Sequence, residues 1–138
     1  MRRLDSGLVR RAALLLVTGC LPLATATACS VPGTTSDGPG AGAKTVTFEV
    51  TGNAPEGVEI TYGSDTSNYD GSGPPFSASL SIEKQALFYD VSAQLQGGGD
   101  ITCKLTIGTA VQVGHAVGSY NICSVQLNRD PTNGGWDP

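Results

Sequence analysis

Two cysteines lie inside runs of strictly alternating apolar residues, and no other feature constrains the fold of this chain as strongly. The residues that share a phase in these two runs are Ile101, Cys103, Leu105 and Ile107, and then Asn121, Cys123, Val125 and Leu127. Side chains of a β-strand alternate between its two faces, so each cysteine points with its apolar neighbours into a core. This placement predicts a buried disulfide between Cys103 and Cys123, which requires an oxidising compartment.

Alternation of this kind runs through residues 44–128, about 85 residues, which is enough for one small domain and not for two. Seven runs follow the pattern, at residues 46–50, 58–62, 76–82, 87–95, 101–107, 111–117 and 121–127. Glycine-rich turn signals separate them, and no segment shows a useful amphipathic helical repeat. The sequence therefore predicts an all-β fold, a seven-stranded immunoglobulin-like β-sandwich with one internal disulfide.

The N-terminus has the pattern of an export signal. Four arginines, Arg2, Arg3, Arg10 and Arg11, precede a charge-free stretch at 12–36 whose first half is mostly apolar. This apolar core is shorter than the about 20 residues that span a bilayer. We predict that residues 1–28 form a cleavable signal peptide, with an uncleaved N-terminal helix as the alternative.

Two further cysteines compete as the lipid-carrying first residue of a lipoprotein. The sequence before Cys20 resembles a lipobox but leaves a short apolar core, whereas Cys29 follows a full-length core and small residues. Acylation of Cys29 also leaves no unpaired thiol once Cys103 and Cys123 are bonded. The favoured prediction is lipidation at Cys29 and a position on the outer face of the cell membrane. Cys20 remains the rival site, and plain secretion remains the alternative.

Low-complexity segments flank the predicted domain on both sides. Residues 29–43 are rich in Ser, Pro, Gly, Thr and Ala, which predicts a flexible linker to the lipid anchor. Residues 129–138 have the same character and are predicted to be a disordered tail. Its single Trp136 is expected to be exposed.

The order of several short motifs resembles the exported domain of the MmpS family (mycobacterial membrane protein, small). These motifs are TVTFEVTG at 45–52, ITY at 60–62, PPFS at 74–77, VSAQ at 91–94, ITCKL at 101–105 and the closing Cys123. The resemblance covers nearly all of residues 44–128. It departs at Phe76, where that family usually has tryptophan, and at the N-terminus, where the family has a transmembrane helix.

The resemblance implies a non-catalytic accessory role. Members of that family are membrane-anchored partners of MmpL lipid exporters of the RND class, with an immunoglobulin-like, disulfide-containing exported domain. The expected function is to assist such a transporter in exporting lipidic or siderophore-type cargo. The alternative is a stand-alone lipid-binding or small-molecule-binding protein, or a structural envelope lipoprotein.

Residues able to carry other chemistry are scarce. The single His115 lies on a predicted strand without acidic or cysteine neighbours at ligand spacing, so we expect neither catalysis nor a metal site there. The loop at 65–71 has oxygen ligands but lacks the EF-hand pattern. A net charge of −4 without a basic stripe argues against nucleic acid as a partner. No cofactor is expected.

Aromatic residues offer the remaining candidate for a binding surface. Phe88 is out of phase with its strand, which predicts an exposed side chain or a bulge, and Tyr69 lies in the loop at 65–71. Together they could contact a lipid tail or a protein partner. The alternative is that these aromatics fill the core of the sandwich.

Overall fold

The structure is a computed structural model, and it describes residues 37–138. Nine strands follow one another: β1 Thr45–Asn53, β2 Val58–Ser64, β3 Asn68–Ser72, β4 Phe76–Ser81, β5 Phe88–Leu95, β6 Asp100–Ile107, β7 Ala110–Val117, β8 Ile122–Arg129 and β9 Trp136–Asp137. Within this range no element is a helix. It therefore contains no helix that is long and apolar enough to cross a membrane. The all-β prediction is confirmed.

The strands form two antiparallel sheets. Sheet A has four strands in the order β4-β1-β6-β7, and sheet B has five in the order β3-β2-β5-β8-β9. Each of the seven predicted runs corresponds to a strand. Two further strands, β3 and β9, lie in segments that were predicted to be irregular, so the predicted count of seven is not confirmed.

The core lies between the inner faces of the two sheets, where the alternation of each strand points its apolar side chains. Its largest fully buried members are Phe48, Ile60, Tyr89, Leu95, Ile101, Leu105, Ile107 and Leu127. Cys103 on β6 and Cys123 on β8 face each other across this layer with their Cα atoms 6.0 Å apart. That separation suits a disulfide, and the predicted bond is confirmed as a covalent link between sheet A and sheet B.

On strand β7 the larger apolar side chains face solvent and the small residues face the core. Its valines, Val111, Val113 and Val117, lie on the outer face of sheet A, and each is about half exposed. Gly114 lies on the inner face, where a Cβ would stand 2.8 Å from Cγ1 of Val125 on β8. The small inner residues let β7 approach β8 closely and close that side of the molecule.

Residues 37–43, predicted to belong to the flexible linker, instead form a strap along the end of the sandwich. The backbone N–H of Gly40 donates to Oγ1 of Thr109 at 3.0 Å, and the N–H of Trp136 donates to the carbonyl of Pro39 at 2.7 Å. Gly40 is buried. The prediction of flexibility is wrong for these residues because their polar backbone groups find partners on the folded domain.

The predicted disordered tail is wrong for most of its length. Asp130 accepts a hydrogen bond from the N–H of Thr132, and Asn133 accepts one from Gly135, each at 2.7 Å. These side-chain turns bring the chain back so that β9 pairs with β8. The prediction that Trp136 is exposed is therefore wrong, because only 2% of its surface remains accessible.

Candidate functional site

The predicted lipidation sites, Cys29 and Cys20, lie outside the residues that the structure describes, as does the predicted signal peptide. Two concave surfaces on the described part of the chain are candidates for binding. Each is built from strands whose register fixes which side chains meet.

The first concave surface, here called the edge cleft, lies between β3 of sheet B and β4 of sheet A. These edge strands leave an opening of about 250 Å³ on this side of the sandwich. The residues that line it are Ser67, Tyr69, Leu80, Ser81, Ile82, Glu83 and Tyr89. Four of these side chains are apolar or aromatic, and the N–H of Glu83 donates to Oη of Tyr89 at 2.8 Å. The cleft therefore has an apolar part, formed by these four side chains, and a polar part, formed by Ser67, Ser81 and Glu83.

A chain of aromatic rings runs inward from this cleft. Tyr69 stacks on Tyr62 with ring centroids 5.5 Å apart, and Tyr62 contacts Phe48 at 5.0 Å. Phe48 lies 6.3 Å from Tyr89, whose other side meets Trp136 at 5.4 Å. These spacings are those of favourable aromatic pairs. Two of these five rings, Tyr69 and Tyr89, line the edge cleft.

The second concave surface, here called the face groove, lies on the outer face of sheet B. It has a volume of about 500 Å³, and its lining residues are Thr61, Ser64, Asp65, Asn68, Phe88, Asp90, Ser92 and Gln126. All but one are polar, and none is basic. Asp65 is held in place because its Oδ1 accepts a hydrogen bond from the N–H of Leu87 at 2.9 Å.

Asp90 occupies the middle of the face groove. Its strand neighbours across the sheet are Gly63 on β2 and Gln126 on β8. Burial raises the pKa of the Asp90 carboxyl above its ordinary value.

The structure does not bring Phe88 and Tyr69 into one surface. Phe88 lines the face groove on the outside of sheet B, while Tyr69 lines the edge cleft on the side of the core. Phe88 is half-buried and has polar neighbours, and Tyr69 is 43% exposed. A flat apolar patch around Phe88 is therefore absent from the described surface. The alternative of aromatic core filling applies to Tyr89 and largely to Tyr62.

Most of the exposed large apolar residues lie instead on β7, at the start of β8 and on the connection between these two strands. They are Val111, Val113, Val117, Tyr120 and Ile122, with exposed fractions between 47% and 64%. Alternation alone predicted a strand at 111–117 but not which of its faces would meet solvent. The exposure of these valines was not predicted for that reason.

His115 has a partner that the sequence spacing did not indicate. Its Nε2 lies 2.6 Å from Oδ1 of Asp100 on the solvent-exposed outer face of sheet A. The antiparallel register of β6 and β7 brings the two side chains together across 15 residues of sequence. Among residues 37–138, no group of three or more His, Cys, Asp or Glu side chains is arranged to hold a metal ion.

Comparison of the chain with family models, with curated proteins and with solved structures finds no match.

Proposed function

We propose that this chain is an exported, lipid-anchored, non-catalytic binding protein of the cell envelope, held at the outer face of the membrane through Cys29. The inter-sheet disulfide supports export because such bonds persist in oxidising compartments. The same bond, buried between two packed sheets, also supports an immunoglobulin-like classification of the fold.

The edge cleft is the observation that carries the binding role. It opens between the two sheets, and the apolar part of its wall is formed by Leu80, Ile82 and the rings of Tyr69 and Tyr89. Such a wall suits an apolar chain, since burial of methylene groups is favourable by about 0.8 kcal/mol each. We therefore propose lipidic or siderophore-type cargo with an apolar tail.

The size of the cleft favours an accessory role over a stand-alone carrier. At about 250 Å³ it is smaller than the roughly 300–1,000 Å³ of pockets that enclose a whole small molecule. It would hold one end of a lipid while the rest stayed with another protein. By its resemblance to the MmpS family, the partner proposed is an MmpL-like transporter of the RND class.

Bound lipid in the purified protein tests this proposal. The full chain, isolated from membranes in mild detergent, is examined by native mass spectrometry. Leu80→Gln places an amide in the cleft, whereas Ser79→Gln changes the next residue of β4 on the opposite, solvent-exposed face. We expect the parent protein and Ser79→Gln to retain the same acyl lipid and Leu80→Gln to lose it several-fold. Equal occupancy in all three, or none in any, would contradict the lipid-binding role.

Crosslinking on intact cells distinguishes the accessory role from the alternative, a stand-alone lipid carrier. Recovery of an RND-type permease crosslinked to the chain supports the accessory role. Lipid-loaded protein without a crosslinked permease supports the carrier, and an empty protein without a partner leaves the structural envelope role.

A further inference from the structure

The face groove is assembled by strand register from four strands of sheet B. Asn68, Gly63, Asp90 and Gln126 form one row across β3, β2, β5 and β8. The adjacent row holds Asp70, Thr61, Ser92 and Ser124. Gly63 contributes no side chain, so the floor is low between Asn68 and Asp90. The result is a broad polar floor that presents hydroxyl, amide and carboxylate groups at regular strand spacing.

Phe88 forms an apolar wall at one end of this polar floor. It lies on β5 two residues before Asp90, on the same outer face of the sheet, opposite Asn128 of β8. A half-buried ring beside a row of hydrogen-bonding groups matches a ligand that is apolar on one face and hydroxyl-rich at its edges. A sugar ring has this character, because its C–H bonds can pack flat on an aromatic face while its hydroxyls point outward.

The charges around the groove limit the ligand further. None of the described lining residues is basic, whereas Asp65 and Asp90 are acidic. The nearest arginine in the sequence of β8, Arg129, is engaged elsewhere: it donates to the carbonyl of Lys84 at 2.7 Å and lies over the Trp136 ring. Phosphate, sulfate and carboxylate ligands would therefore meet repulsion and no counter-charge.

We propose that the face groove binds a neutral carbohydrate, with a sugar ring packed on Phe88 and sugar hydroxyls donating hydrogen bonds to the carboxylate of Asp90. The hydroxyls of Thr61 and Ser92 and the amides of Asn68 and Gln126 provide further hydrogen-bonding partners. This site is separate from the proposed lipid site, since the edge cleft lies on the other side of sheet B. Its ligand is either a polysaccharide of the envelope or the sugar headgroup of a glycolipid, which share this chemistry.

Isothermal titration of the full chain in detergent micelles tests the proposal. The probes are neutral hexasaccharides of glucose, mannose, galactose and arabinose, and a glucosamine hexamer as a cationic comparison. We expect at least one neutral probe to bind, and Phe88→Ala and Asp90→Ala each to weaken it about tenfold or more. Ser79→Ala, on the outer face of sheet A, should bind as the parent does.

A third variant keeps the test decisive if Phe88→Ala or Asp90→Ala fails to fold. Ser92→Gln fills the floor of the groove from an outward-facing position and leaves the core residues of β5 unchanged. A folded Ser92→Gln variant, verified by its circular dichroism spectrum, should also lose binding. Absence of binding to every neutral hexasaccharide and to vesicles that carry a neutral glycolipid, binding of the cationic hexamer alone, or undiminished binding by Ser92→Gln would overturn the proposal.

Two further comparisons distinguish a glycolipid headgroup from a polysaccharide as the ligand. Vesicles carrying a neutral glycolipid and soluble hexasaccharides are compared as ligands, with Leu80→Gln included. If only the vesicles bind, and the face-groove variants abolish that binding, the ligand is a glycolipid headgroup. If soluble chains bind equally well and Leu80→Gln has no effect, the ligand is a polysaccharide, whatever the outcome for lipid in the edge cleft.

Discussion

Burial of the Asp90 carboxylate should lower the free energy of unfolding by a measurable amount. Burial raises the pKa of its carboxyl in the folded chain, so over the interval between the unfolded and folded pKa values the folded chain binds more protons. Stability therefore falls as the pH rises through that interval, and the destabilisation is complete above the folded pKa. We expect Asp90→Asn to increase the free energy of unfolding near neutral pH, by at most about 1 kcal/mol because solvent still reaches the group.

Urea unfolding of the parent and of Asp90→Asn, at about pH 7 and about pH 3, checks this expectation. The gain should disappear at the lower pH, where the parent carboxyl is protonated. Asp70→Asn, on the exposed edge strand β3 of the same sheet, is the control and should change the free energy of unfolding by no more than about 0.5 kcal/mol, as surface substitutions usually do. A loss of stability in Asp90→Asn near neutral pH would mean that the carboxylate makes a stabilising contact.

Single residues differ in how far the sequence determines their roles. The phase of Cys103 and Cys123 within their strands was sufficient to predict that they face each other. The phase of Phe88 correctly indicated the outer face of its strand but not its surroundings. Those surroundings come from β2, β3 and β8, which lie far away in sequence, and only the strand order brings Thr61, Asn68 and Gln126 to the same place.

At the level of elements, period-two alternation identified the strands but not the orientation of every face. On β7 the larger side chains, Val111 and Val113, face solvent because Gly114 and Ala116 allow close packing on β8. Strand β3 was missed for a different reason. Its sequence NYDGS has the composition of a turn, and pairing with β2 outweighs that low intrinsic preference for a strand.

The C-terminal strand β9 should contribute strongly to stability despite its length of two residues. Trp136 closes the end of the core against Tyr89, and Arg129 covers its outer side. We expect Trp136→Ala to lower the free energy of unfolding by about 3 kcal/mol, the lower end for loss of a large buried aromatic, because a terminal segment can relax. Urea unfolding of the oxidised protein measures this change.

Leu87→Ala provides the matched control for Trp136→Ala. Leu87 is a large apolar residue that is 66% exposed, so its truncation should change the free energy of unfolding by no more than about 0.5 kcal/mol. If both variants unfold at the same urea concentration as the parent, the C-terminal segment contributes little to the stability of the domain.

At the level of the whole molecule, the strap at residues 37–43 shortens the connection to the proposed anchor. If the strap were free, 16 peptide units would separate Cys29 from Thr45, the first residue of β1. With the strap held against Thr109 and Trp136, eight peptide units remain between Cys29 and Asp37, which reach about 28 Å at full extension. The end of the sandwich that carries the β6–β7 turn and Trp136 should therefore stay close to the bilayer.

Trp136 can report this distance, since it is the single tryptophan of the chain. In vesicles containing a dansyl-headgroup lipid, the acylated protein should show energy transfer from Trp136 to the lipid. A 20-residue Gly/Ser spacer inserted after Ser30 adds a coil with a mean span of about 25 Å, and transfer should then fall strongly. Undiminished transfer with the spacer would mean that the domain binds the bilayer through its own surface. Absence of transfer in the acylated parent would contradict a strap that holds this end of the domain near the membrane.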